Sequence, residues 1–346
     1  MKKAIIIIIS VVLAVLIVIT VVAKFIHHSF LQINSPIVTD INYNNYFKNR
    51  NMYVGLDIKY NHLAFYKQRL LFGPELVIAD DKGHRYYRHD IRDKFQLGKD
   101  KIVYLDYAYL NNNCLKISDF YKKDGKVIAQ RVKDFLYYND YVIYSVTETD
   151  DSDLSFELYL YEVNNDKSTM ICREDIQEFY IYNDKLYILD AKKRLSEYSF
   201  LNKTNRPIMQ LKANLNNEDI IMPQKNNVIC ALKNQMVFVN TADQTEEVVD
   251  VVSDHNVHIA NFICNDYEIY CLVSYNYDLF QDVPISEVKN ENVGIWSIDP
   301  TTKESRQIVS GNFRNLQLFG DLLFYSDGNF VYQVDTNTGE AKMVAW

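Results

Sequence analysis

The sequence predicts an all-β protein, a seven-bladed β-propeller preceded by one N-terminal transmembrane helix, and three observations predict it. A phrase of apolar strand, tight Asn/Asp turn and aromatic-led strand recurs seven times. It is clearest in Tyr182-Asn183-Asp184-Lys185-Leu186-Tyr187-Ile188 and Tyr138-Asn139-Asp140-Tyr141-Val142-Ile143-Tyr144. The aromatic of the second strand falls at Phe65, Tyr104, Tyr144, Tyr187, Cys230 (standing in), Tyr270 and Phe324, at intervals of 39, 40, 43, 43, 40 and 54 residues. A near-constant period of this length marks repeated structure. Ahead of the repeats runs an uncharged apolar stretch from Ala4 to Ala23.

That stretch is 20 residues with only Ser10 and Thr20 polar, and at ~1.5 Å rise per residue it makes about 30 Å of helix, the thickness of a bilayer core. Lys2 and Lys3 precede it and only Lys24 follows at once. The positive-inside bias therefore puts the N-terminus in the cytoplasm and the C-terminal domain outside. Val21-Val22-Ala23 offers small residues to a signal peptidase, but a secretory apolar region is shorter, so an uncleaved anchor is expected. The expected organisation is a cytoplasmic tip at 1–3, the membrane helix at 4–23, a juxtamembrane spacer at 24–45 and a propeller ectodomain at 46–346. Ser35-Pro36 and the polar Asn42-Tyr43-Asn44-Asn45 mark the spacer as too irregular to pack alone.

Within the ectodomain the strands come in fours. The third strands read Leu76–Ala79, Leu115–Ser118, Leu158–Tyr161, Leu195–Tyr198, Met236–Val239, Ile295–Ile298 and Val331–Val334, each before a polar turn. One such four-strand unit cannot bury both apolar faces without neighbours, and a closed ring solves this while leaving no long edge open to aggregation. The last unit supplies all four of its own strands, so no interlocking of first and last blades is expected. Six or eight blades stay open. With 27 Tyr and 18 Phe the composition suits half-buried strands. Only 10 Gly implies that Asn and Asp make most turns.

The wording of the second strand, in Leu323-Phe324-Tyr325-Ser326-Asp327, Leu186-Tyr187-Ile188-Leu189-Asp190 and Val103-Tyr104-Leu105-Asp106, resembles the YWTD propellers of the low-density-lipoprotein-receptor type and bacterial membrane-anchored propellers of unknown function. The Trp of that motif is absent throughout. The resemblance implies a propeller that binds proteins or other ligands rather than one that catalyses.

Net charge −8 argues against nucleic acid, whose phosphates require a concentrated basic face. Cys114, Cys172, Cys230, Cys264 and Cys271 are an odd set and read as small buried hydrophobes. A two-residue Asn265-Asp266 turn would set Cys264 opposite Tyr267 and Cys271 opposite Ala260, so these two should not face each other. No nucleophile elbow, phosphate-cradling loop, HExxH or Asp-box occurs, and no catalytic residue, cofactor or metal is assigned.

Strand order places every long insertion on one rim: Tyr66 to Pro74, Thr147 to Ser155 and Ser274 to Asn292. The longest reads Tyr275-Asn276-Tyr277-Asp278-Leu279-Phe280-Gln281-Asp282. Aromatic anchors among carboxylates suit a contact surface, so Tyr275, Tyr277, Asp278, Phe280 and Asp282 are the candidate partner-binding residues. Glu148, Asp150, Asp151 and Asp153 lack the Gly and closing Glu of a calcium loop. Asp254, His255 and His258 lack a further metal ligand. Lys82, His84, Arg85, Arg88, His89, Arg92 and Lys94 form the one basic run, read as a solvated outer strand.

The expected function is a membrane-anchored extracytoplasmic binding or scaffold protein for a protein or envelope polymer. The alternative is an envelope polysaccharide hydrolase or lyase with carboxylates in the channel. A purely structural spacer is a third reading.

Overall fold

The computed structural model describes residues 56–345 apart from 60–61, 70–72, 81–83, 89–90, 92–93, 109–111, 148–154, 183, 212–220, 225–226, 255, 266, 276–290, 314, 320–321 and 327–330. The expected tip, membrane helix and spacer lie outside the described residues. Among those described, no helix is long and apolar enough to cross a membrane.

Among the described residues the strands fall into six antiparallel sheets, each following the chain. The first holds β1 (Leu56–Lys59), β2 (His62–Arg69), β3 (Gly73–Asp80) and β4 (Arg85–Arg88), and the second β5 (Phe95–Leu97), β6 (Lys101–Ala108), β7 (Asn112–Asp119) and β8 (Lys126–Ala129). The third has seven strands: β9 (Val132–Tyr138), β10 (Tyr141–Thr147), β11 (Ser155–Glu162), β12 (Lys167–Tyr182), β13 (Lys185–Asp190), β14 (Arg194–Ser199) and β15 (Thr204–Gln210). The fourth is β16 (Ile221–Gln224), β17 (Asn227–Leu232), β18 (Gln235–Asn240) and β19 (Glu246–Asp250). The fifth is β20 (Val257–Cys264), β21 (Ile269–Tyr275), β22 (Gly294–Ile298) and β23 (Ser305–Ser310), and the sixth is β24 (Asn315–Phe319), β25 (Leu322–Ser326), β26 (Val331–Val334) and β27 (Ala341–Ala345).

The wide sheet is two four-strand units sharing one strand. Lys167 to Arg173 of β12 pair with β11, the later half pairs with β13, and Ile176 pairs on both sides. Elsewhere the chain leaves one sheet before starting the next. First strands of neighbouring sheets touch in the pairs β1/β5, β5/β9 and β20/β24, and β24 touches β1, which closes the series into a ring. First and last sheets each use four consecutive strands, as the sequence led one to expect.

Both faces of a sheet are apolar because each faces a neighbour. Ala64, Leu76 and Ile78 of the first sheet meet Phe95, Leu97 and Tyr104 of the second. Tyr180, Leu189 and Leu195 of the third meet Val228, Cys230 and Val237 of the fourth, and the fifth meets the sixth through Ile263, Leu272, Leu316 and Leu323. At about 25 cal/mol per Å² of apolar surface removed from water, these interfaces are the main favourable term. The repeat's aromatic ruler mixes the two faces. Tyr144 lies opposite Phe135, four residues before the turn, whereas Tyr187 lies opposite Tyr180, three before it. A slip of one residue reverses the face, so Tyr144 packs toward the second sheet and Tyr187 toward the fourth.

Several expectations are corrected. Asn139 and Asp184 do hold the left-handed conformation in first turns, but Lys193, Lys203, Lys233, Gln244 and Lys303 hold it as well. Asp and Asn act more by side-chain capping: Asp299 accepts from the backbone N–H of Thr301 and Thr302, and Asp335 from those of Asn337 and Thr338. Tyr66 to Pro74 is not an open loop, since β2 and β3 pair down to Arg69 opposite Gly73. The Cys264 hairpin turns over more residues than expected, so Cys264 lies opposite Ile269 and Cys271 opposite Phe262. The two cysteines still do not face each other, and none of the five forms a disulfide.

The basic run is not a solvated strand either. Arg88 is 1% exposed. Its guanidinium donates to Ser118 Oγ (2.9 Å) and to the carbonyls of Asp119 (3.2 Å) and Lys123 (3.4 Å), binding the first sheet to the second. Burying a guanidinium is tolerable only with this many acceptors.

Candidate functional site

The link from one sheet to the next delivers the chain to the start of an inner strand, on the face that also carries the loops between second and third strands. Counting five residues back from the first turn gives Lys94, Asp134, Glu178 and Asn261, and at the backbone level Asn315, on five of the inner strands; the equivalent positions before β1 and β16 lie outside the described residues. The next residue is Phe95, Phe135, Phe179, Phe262 and Leu316. The apolar residue enters the inter-sheet core, and the polar one stands at the mouth of the ring. Lys94, Glu178 and Asn261 are all buried.

These polar groups knit neighbouring inner strands together. Lys94 Nζ is paired with Asp134 and lies 4.8 Å from the centre of the Phe135 ring. Asp134 Oδ1 also accepts from the Phe135 N–H at 2.7 Å. Two residues on from Lys94, Gln96 Oε1 accepts from the Tyr137 N–H at 2.5 Å. An inner strand is an edge strand whose outward N–H groups need acceptors, and β5 supplies one for β9. Asp134 is therefore an ion-paired, hydrogen-bonded carboxylate, poorly suited to shuttling a proton.

The carboxylates of the motif-like second strands are likewise engaged. Asp190 accepts from Arg194 N (2.8 Å) and Nε (2.6 Å), fixing the short loop after β13. Asp106 pairs with Lys116 Nζ at 2.5 Å across its hairpin, which raises the lysine pKa. Asp327 lies outside the described residues.

Of the candidate binding residues, Tyr275 belongs to the end of β21 opposite Val257, half-buried against the core between the fourth and fifth sheets. Packing there makes it an anchor for the base of the insertion rather than a loop-borne contact. Tyr277, Asp278, Phe280 and Asp282 lie outside the described residues, as do Asp150, Asp151, Asp153 and His255. Asp254 caps Asn256 N at 2.9 Å, and His258 is half-buried in β20. No group of three or more His, Cys, Asp or Glu suited to a metal occurs among the described residues. Burial pushes the Cys172 thiol up to about 12, so it is a poor nucleophile. The polar-then-Phe pairs were present in the sequence as a signal, at Lys94-Phe95, Asp134-Phe135, Glu178-Phe179 and Asn261-Phe262, but only pairing register reveals that they are equivalent.

No family model matches the chain, and no curated protein matches it. Solved structures do. The β-propeller domain of the trilobed protease from Pyrococcus furiosus aligns with a TM-score of 0.55 at 10% identity, over 86% of this chain and 96% of that one. The fold is a β-propeller. YCF48 from Cyanidioschyzon merolae aligns with this propeller at TM-score 0.51 and 11% identity, over 82% and 97% of the two chains. The extracellular domain of the putative hybrid two-component system BT4673 from B. thetaiotaomicron aligns at 0.54 and 9% identity, over 84% of this propeller and 41% of that chain. At such identities the likeness concerns the fold alone.

Proposed function

We propose that the protein is a seven-bladed propeller held at the outer side of a membrane by residues 4–23, a binding or scaffold protein that recognises a protein or envelope polymer through its loop-bearing rim. The blade count rests on the seven second strands and on β12, which serves as the last strand of one unit and the first of the next. The YWTD-like reading rests on Asp190 at the end of β13 and Asp106 late in β6 as structural carboxylates. The observation that carries the binding reading is the Lys94 to Asp134 pair. It occupies a carboxylate at the channel mouth that catalysis would need, and the sequence of the longest insertion, between β21 and β22, is rich in aromatic and acidic residues.

One observation favours the alternative, an envelope polysaccharide hydrolase or lyase: Asp134 and Glu178 hold equivalent positions on adjacent inner strands. A pulldown from crosslinked membranes with the full chain, run beside an envelope-glycan turnover assay, separates the two. Binding predicts a captured partner and no turnover. Turnover abolished by Asp134→Asn or Glu178→Gln, with nothing captured, would reverse the assignment.

A further inference from the structure

The chain enters the ring on the loop-bearing face. Leu56 pairs with Phe65 and Lys59 with His62, so β1 runs from that face toward its first turn, as β9, β12 and β20 do. The long connections 148–154, 211–220 and 276–293 all start and finish on this loop face. The opposite, turn face carries short hairpin turns, the longest of them, 120–125, 299–304 and 335–340, having six residues. Between the proposed membrane helix and β1 lie residues 24–55, 32 in all, which span at most about 110 Å whatever path they take. An eight-residue strand such as β2 makes a sheet about 26 Å tall. The turn face meets the bilayer only if the spacer first doubles back past that height and around the four strands of a sheet. The loop face meets it directly.

Resting on the anchored rim-binding reading above, we infer that the loop face looks at the bilayer and that its partner is an integral protein of the same membrane, whose outer loops seat on the rim. Both molecules are then confined to one sheet of lipid, and the spacer sets the effective concentration at which rim and partner meet. A polymer layer further out would face the turns instead. The lipid surface itself is a poorer occupant, because anionic headgroups hold segments with clusters of about four to eight cations. Here cations and carboxylates are interleaved. Ala191 N donates to Asp175 O at 2.8 Å, which sets the exposed Lys192 and Arg194 beside the exposed Glu174 and Asp175, and Arg194 lies 3.4 Å from Glu174. A surface of both signs complements a protein loop rather than a layer of one charge.

The test uses the full chain in the membranes of the producing cell, with p-benzoylphenylalanine placed singly at Lys192 or Lys233 on the loop face and at Leu201 or Tyr267 on the turn face, all four exposed, and a protease site inserted after Thr39. After irradiation the spacer is cut. Uncrosslinked propeller is expected to leave the membrane, while loop-face adducts stay in the pellet through alkaline carbonate at about 10-fold the yield from the turn face. Loop-face adducts that come free on cutting would overturn the membrane partner while leaving the rim as a binding surface. Adducts of lipid mass alone, equal yields from both faces, or no adduct at all would overturn it as well. A chain already absent from the membrane pellet before cutting would remove the anchor, and this inference with it, so the two failures are told apart.

Discussion

The two faces of the ring are held by different means. On the turn face, short hairpin turns reach sideways to one another: Lys126 to Asp166, Lys203 to Glu162, Tyr138 to Asp184, and Phe200 stacked 5.5 Å from Tyr141. These are mostly exposed pairs. On the loop face the bracing is drawn inward to the inner strands, where buried Lys94, over the Phe135 ring, meets half-buried Asp134 and buried Gln96 meets the Tyr137 N–H. Placing the bracing at the channel leaves the loops above it unconstrained to vary in length, which is where binding residues sit on a rigid scaffold.

Breaking one brace from each face should expose this difference. Lys94→Met leaves Asp134 without its cation in a largely dry setting and is expected to cost about 3 kcal/mol, read by urea denaturation. A cost below about 1 kcal/mol would mean the channel mouth is wet and the brace idle. Between the faces lies Tyr180, whose hydroxyl is buried, with no hydrogen-bond partner among the described residues, in the cluster joining the third and fourth sheets. Tyr180→Phe should stabilise by about 1 kcal/mol, because an unmet polar group is removed with little change of shape. The smallest effect is expected on the turn face. Lys203→Met should leave the melting temperature within about 2 °C.

The turn-face pairs also have a pH signature. Asp119 is held below its ordinary value by hydrogen bonds from Lys122 and Lys101, Glu162 by Asn165 and then Lys203, and Asp166 by Lys126 and then Tyr161. A carboxylate lowered in the folded state contributes above its unfolded pKa and loses that contribution as pH falls through the folded one. The effect should set in only below about pH 4 and stay slight, since Glu162 and Asp166 are solvated. A melting temperature that falls steeply between pH 7 and 5 would contradict this.

Much of the architecture was legible in the sequence because hydrophobic alternation and turn residues repeat with the unit. All seven expected third strands, from Leu76–Ala79 to Val331–Val334, lie within β3, β7, β11, β14, β18, β22 and β26. The aromatic ruler located second strands but not faces, since Tyr187 and Tyr270 stand one residue nearer their turns than Tyr144 does. The basic run misled because alternation along β4 predicts which face a residue takes, not whether a neighbouring sheet covers that face, as the second sheet covers Arg88. The channel-mouth residues were hidden for a related reason: Lys94, Asp134, Glu178 and Asn261 share a position without sharing a residue type.

The division of labour between faces is tested most directly by deleting residues 276–290 and repeating the crosslinked pulldown, with far-ultraviolet circular dichroism and a thermal melt on the same sample. The account predicts an unchanged spectrum, a melting temperature within a few degrees of the parent and loss of the captured rim partner. Retention of that partner by a folded deletion variant would contradict it.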